Sequence, residues 1–94
     1  MDIVWRPRAL DDLEAVRRYI AERNPRAAAR VHAAILTSVS RLANHPNLGR
    51  PGRVDSTSEL VVPRTPYIVA YGVLDEQVMA LAVIHSARRW PDRF

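Results

Sequence analysis

A change of hydrophobic period halfway along the chain constrains its fold more than any other feature. In the first half, apolar residues fall at Ala9, Leu13, Val16 and Ile20, and again at Ala28, Val31, Ile35, Val39 and Leu42. Steps of three and four put each set on one face of a helix. In the second half the spacing is lost, and Glu59-Leu60-Val61-Val62, Tyr67 to Val73 and Val78 to Ile84 form short β-prone runs. Runs rich in Val, Ile and Tyr read as strands. The last two are apolar almost throughout, as in strands covered by other parts of the fold.

The punctuation between these segments sets the connections. Asp2-Ile3-Val4-Trp5 is a short β-prone opening, and Pro7 suits the first turn of a helix, where a missing N–H costs nothing. Asp11, Asp12 and Glu14 lie early in that helix and Arg17, Arg18 and Arg23 late, in the sense that complements a helix dipole. Asn24-Pro25 breaks the pattern, because a residue before proline is driven out of the helical region. Asn24 is also a good N-cap and Pro25 a good first helical residue. So short a link implies an antiparallel helical hairpin. The second helix runs out near Asn44-His45-Pro46, and residues 45–57 read as a loop. Pro63 to Pro66 marks a turn and Asp75-Glu76 a tight hairpin link. The expected order is β-α-α-β-β-β in one domain spanning residues 1–94. It makes an α+β fold in which the helical hairpin packs on a mainly antiparallel four-stranded sheet.

A chain of 94 residues without cysteine has neither disulfide nor thiolate metal site, so its thin core must be stabilised by packing, aided by a bound partner. His32, His45 and His85 are not at ligand spacing, and no phosphate-loop or nucleophile-elbow motif occurs. No metal and no cofactor are expected. No stretch nears the ~20 apolar residues that span a bilayer, and the expected location is the cytoplasm. The formal net charge is +4 and all 14 basic residues are arginine. Guanidinium forks match phosphate and carboxylate, which points to an acidic partner, either nucleic acid or peptide. A GC-rich genome also favours arginine over lysine, but does not explain the positive balance.

Two clusters could carry chemistry. Gly49-Arg50-Pro51-Gly52-Arg53 offers backbone amides and two guanidinium groups to a phosphate, or is simply a stiffened turn between helix and sheet. At the end of the last strand, His85, Arg88, Arg89 and Trp90 lie together, with Arg64 across the sheet. Histidine titrates near neutrality, arginine stabilises phosphoryl charge and tryptophan stacks on bases. RNA cleavage through a ribose 2′-hydroxyl needs a base, an acid and a cation. His85 and Arg88 could fill two of those roles and Glu59, Tyr67 or Tyr71 the third. The structural alternative is that His85 ends a strand, Trp90 caps the core and the arginines are solvated.

Taken in order, Ala9 to Ile20, Asn24-Pro25 with Ala28, Leu42 with Pro46, Gly49-Arg50-Pro51-Gly52, Glu59-Leu60-Val61, Pro66-Tyr67-Ile68-Val69-Ala70-Tyr71 and His85 to Pro91 resemble the RelE/ParE toxin family along nearly the whole chain. The resemblance implies a toxin held inactive in a hetero-oligomer with a cognate antitoxin. Such an antitoxin is small, acidic and DNA-binding, with a segment that wraps the toxin. Family members either poison DNA gyrase or cut messenger RNA in the ribosome. The nuclease members carry an arginine where this chain has Ile68, a second arginine matching Arg88, a lysine pair that only Arg50 and Arg53 could replace, and a late tyrosine with no counterpart. Many relatives also have basic residues where Ser58 and Gly72 stand. The Ser58 and Gly72 departures cut the other way and weaken the transfer of surface contacts, whereas the lost nuclease positions favour a ParE-like, non-catalytic inhibitor of gyrase, with Arg50, Arg53, Arg64, Arg89 and Trp90 as contacts to target or nucleic acid. The alternatives are a RelE-like mRNA endonuclease using His85 and Arg88 as catalytic residues, and a non-toxic RNA- or protein-binding module.

Overall fold

The computed structural model describes residues 1–94. Strand β1 (Asp2–Trp5) leads into helix α1 (Pro7–Ala21) and helix α2 (Pro25–Ser40), which ends in a single 3-10 turn, Arg41–Ala43. Strands β2 (Arg50–Pro51), β3 (Ser58–Val61), β4 (Tyr67–Leu74) and β5 (Gln77–His85) follow. The sheet order is β1-β5-β4-β3-β2, with β1 parallel to β5 and every other pairing antiparallel.

Local chemistry accounts for the breaks. Pro7 and Pro25 each open a helix, and the Asn24 carboxamide oxygen accepts the Ala27 N–H at 3.1 Å. Leu74 pairs with Gln77 across a two-residue link, where Asp75 and Glu76 have φ of 51° and 60°. Positive φ at both positions is the type I′ geometry that matches strand twist. Pro63 followed by Arg64 at φ 62°, with Thr65 N–H bonded to the Val62 carbonyl, makes the tight turn between β3 and β4.

The helical stripe expected from the sequence is the core. Ala9, Leu13, Val31, Ile35, Val39 and Leu42 pack on Leu60, Val62, Tyr67, Val69, Tyr71, Val78, Ala80 and Val83 of the sheet. Strand β5 carries a bulge, and only beyond it are residues on both faces buried. Ala82 pairs with Ala70, but Tyr71 pairs with Ala80, so Leu81 is the extra residue. The phase flips there: Val78 and Ala80 face the helices before it, Val83 and His85 after it. A second, smaller cluster forms on the opposite face, where Ala70, Ala82 and Ile84 are covered by Trp90.

The sheet has five strands, not the expected four. Arg50 and Pro51, expected in a loop, pair with Glu59 and Ser58. Proline is tolerated there because the strand is at the sheet's edge and two residues long. The ion pairs that hold this strand, described below, join Glu59 to Arg50 and Arg53, nine and six positions earlier in the chain.

Candidate functional site

A groove of about 880 Å³ lies where the two helices meet the C-terminal end of β5. Val16 and Ile20 of α1, Val31 of α2 and Tyr67 and Val83 of the sheet supply apolar walls, and Arg8, Asp12, Tyr19, His85, Arg88 and Arg89 supply polar and basic ones. The groove exists because β1 is short. It pairs with β5 only as far as Ala80, after which Arg6 N–H bonds the Ala80 carbonyl and the chain turns into α1. The remaining edge of β5 is met by Asp12, whose carboxylate accepts the Val83 N–H at 3.0 Å and sits 3.6 Å from Arg8. Sequence reasoning read Asp12 only as a helix-dipole acid. Its bond to a residue 71 positions away left no local signal.

His85 and Arg88, the two candidate catalytic residues, both line this groove, and Tyr67 joins them. Tyr67 pairs with His85 across β4 and β5, and their rings meet edge-on with centroids 5.5 Å apart. Burial pushes the Tyr67 phenol above its ordinary range, against a smaller downward pull from Arg88. The His85 Nδ1 accepts the Ala87 N–H at 3.0 Å. In the neutral ring the proton therefore sits on Nε2, which can donate but not accept.

The other candidates lie elsewhere. Glu59, only 2 % exposed, faces the side of the sheet away from the helices. One carboxylate oxygen accepts Arg50 Nη2 at 3.2 Å, and the other accepts the Arg53 backbone N–H at 2.8 Å with Arg53 Nε at 3.7 Å. Arg53 in turn lies over the Trp90 ring, its guanidinium carbon 4.0 Å from the centroid. Arg50, Arg53 and Trp90 are thus engaged within the chain, on the opposite face from His85. Tyr71 is fully buried, donating to the Pro46 carbonyl at 2.7 Å and accepting the Gly49 N–H at 2.9 Å. Only glycine fits at position 49, since a Cβ would stand 2.6 Å from the Tyr71 ring and 2.9 Å from the Glu59 carbonyl oxygen. The Gly49–Arg53 segment, which contains β2, is anchored at both ends. Arg64 is exposed at the β3–β4 turn and does not line the groove, whereas Arg89 does. His32 is half-buried on α2 and His45 is exposed after the 3-10 turn. No group of three or more His, Cys, Asp or Glu side chains is placed to hold a metal, and no helix is long and apolar enough to cross a membrane.

Comparison with known proteins agrees with this architecture. The chain superposes on a structure of the chromosomal ParDE toxin–antitoxin system of P. aeruginosa with a TM-score of 0.83, at 23 % identity over 90 % of this chain and 95 % of that one. On the RelBE2 toxin–antitoxin complex of Mycobacterium tuberculosis the TM-score is 0.64, at 24 % identity over 89 % and 95 % of the two chains. These two likenesses concern the fold. In sequence, the chain is 46 % identical to a Sinorhizobium fredii protein named "Putative toxin Y4kP", over 95 % of this chain and 92 % of that one. It is 38 % identical to Toxin RelE2 of Caulobacter vibrioides, over 92 % and 96 % of the two chains. Residues 3–90 match the model of the ParE toxin of type II toxin–antitoxin systems. From the β-α-α-β opening to the Trp90 segment, the chain belongs to the RelE/ParE family of type II toxins.

Proposed function

We propose that this toxin is a non-catalytic inhibitor of DNA gyrase, neutralised by a cognate antitoxin. The observation that carries the reading is that the four candidate acids and bases singled out in the sequence near the last strand are already engaged within the fold. His85 Nδ1 is bonded to the Ala87 amide, and the Tyr67 phenol is held protonated by burial. Glu59 is locked between Arg50 and Arg53, and Tyr71 between Gly49 and Pro46. None of these four groups is free to serve as the base of a 2′-hydroxyl cleavage, which supports the non-catalytic reading. Ile68, where nuclease relatives carry arginine, is buried on the face away from the helices beside Ile84.

The antitoxin belongs with the groove. Apolar walls edged by Arg8, Arg88 and Arg89 suit a segment whose apolar side chains enter and whose carboxylates meet the guanidinium groups. Both solved structures compared above are of toxin–antitoxin systems.

A second reading, mRNA endonuclease, is favoured by one grouping: His85, Tyr67 and Arg88 do converge in the groove. Purified toxin added to a gyrase supercoiling assay, alongside a ribosome-dependent mRNA cleavage assay, separates the two. Inhibited supercoiling with intact mRNA supports the gyrase reading. Cleaved mRNA with normal supercoiling overturns it, and loss of that cleavage in His85→Ala and Arg88→Ala would then assign those residues. Neither effect from folded protein would favour a plain binding module.

A further inference from the structure

From Arg89 onward no backbone group of the chain is hydrogen-bonded to another part of it, and residues 89–94 adopt no helix or strand. Side chains alone hold this segment, at two points. Trp90 lies on Ala70, Ala82 and Ile84 under the Arg53 guanidinium, and the Phe94 ring centroid lies 5.5 Å from the Arg8 guanidinium carbon. The Trp90 contact carries a handicap, since its indole Nε1–H is buried without an acceptor, a cost that the stacking must offset.

Arg53 can stack on Trp90 only while its own position is held. It is held from below by Glu59, which accepts the Arg53 backbone N–H at 2.8 Å and faces its Nε at 3.7 Å. Glu59 pairs in register with Ala70, one of the three residues beneath Trp90. Glu59 needs two arginines to be tolerated at 2 % exposure. A buried carboxylate beneath the very cation that clamps the tail is more than is needed to close a turn.

We infer that Glu59 is a positioning residue for the C-terminal segment: through Arg53 it latches Trp90 onto the open face of the sheet. The latch also sets where Arg88 and Arg89 stand, because they are the last residues before Trp90 and both line the groove. Its partner is internal, so it holds whether the toxin acts on gyrase or on mRNA.

The chain has two tryptophans, Trp5 and Trp90, so a Trp5→Phe background makes Trp90 the sole indole reporter. In that background Trp90 should emit at short wavelength and resist acrylamide. Glu59→Gln and, separately, Arg53→Met should each red-shift the emission and raise the quenching constant several-fold, while far-UV circular dichroism stays native. Arg53→Met keeps the backbone N–H to Glu59 and so tests the latch even if Glu59→Gln fails to fold. Adding Glu59→Gln to Arg53→Met should change the quenching no further, because Glu59 acts through Arg53. Trp90 equally protected in folded Arg53→Met, Trp90 already open in the parent, or additive effects of the two substitutions would each overturn the inference.

Discussion

Tyr67 and Arg64 show how single residues here are set by surroundings rather than by type. Tyr67 has its pKa raised from 10.0, chiefly by burial. Above pH 10 the unfolded chain releases this proton first while the folded chain still holds it, so stability falls as pH rises through the folded value and is unaffected below the unfolded one. Urea unfolding of the wild type should therefore lose stability between pH 10 and the folded pKa more steeply than Tyr67→Phe, with parallel behaviour at pH 7–9. Arg64 has φ 62°, a conformation that costs a non-glycine residue about 1–3 kcal/mol. Glycine would relieve it but adds about 0.5–1 kcal/mol of unfolded-state entropy. Arg64→Gly should thus stabilise the fold by about 1 kcal/mol, seen as a rise of about 4–8 °C in Tm. If the exposed guanidinium contacts the target, toxicity will fall as stability rises.

At the scale of elements, the turns and the riveted loop decide how the strands register. The β4–β5 link uses Glu76 at φ 60°, where the favoured residue of a type I′ turn is glycine. Glu76→Gly should add about 0.5–1 kcal/mol of stability. This link and the Arg64 turn lie at opposite ends of β4, so the two gains should sum in the double variant. The Gly49–Arg53 loop depends on the buried Tyr71 hydroxyl, which bonds both Gly49 N–H and Pro46 carbonyl. Tyr71→Phe keeps the ring and strands both partners, at a cost of about 1–3 kcal/mol. Amide hydrogen exchange should show that loss at Gly49 first, and unchanged protection there would contradict the assignment.

For the whole molecule, only 21 of 94 residues are buried, a small core with the groove cut into one side. A partner that binds only the folded chain stabilises it by mass action, by about 4 kcal/mol at a thousandfold excess over Kd. The toxin–antitoxin complex should therefore melt well above the free toxin, by calorimetry at matched concentration. Equal midpoints would mean that the antitoxin does not bind the folded form preferentially. Because Arg8, Arg88 and Arg89 edge the groove, raising salt should weaken the complex, and Arg88→Glu with Arg89→Glu should weaken it further.

What the sequence determined by itself is what local physics controls. The 3.6-residue stripe from Ala9 to Leu42, the Asn24-Pro25 break and the Asp75-Glu76 link each act within a few residues of themselves, and the two helices, the meander and the family resemblance were all legible from them. Tertiary structure alone decided the rest. The fifth strand at Arg50–Pro51, the Leu81 bulge that rotates His85 toward the helices, Asp12 at the Val83 amide and the Glu59–Arg53–Trp90 stack join positions from 6 to 71 residues apart. His85 and Trp90 are five positions apart in the chain, yet they ended on opposite faces of the sheet. Pleating, one extra residue and a chain reversal after β5 determine which side of a strand's end is reached, and none of these leaves a periodic trace. Residues that read as one catalytic cluster in the sequence were divided by the fold into a groove on one face and a latch on the other.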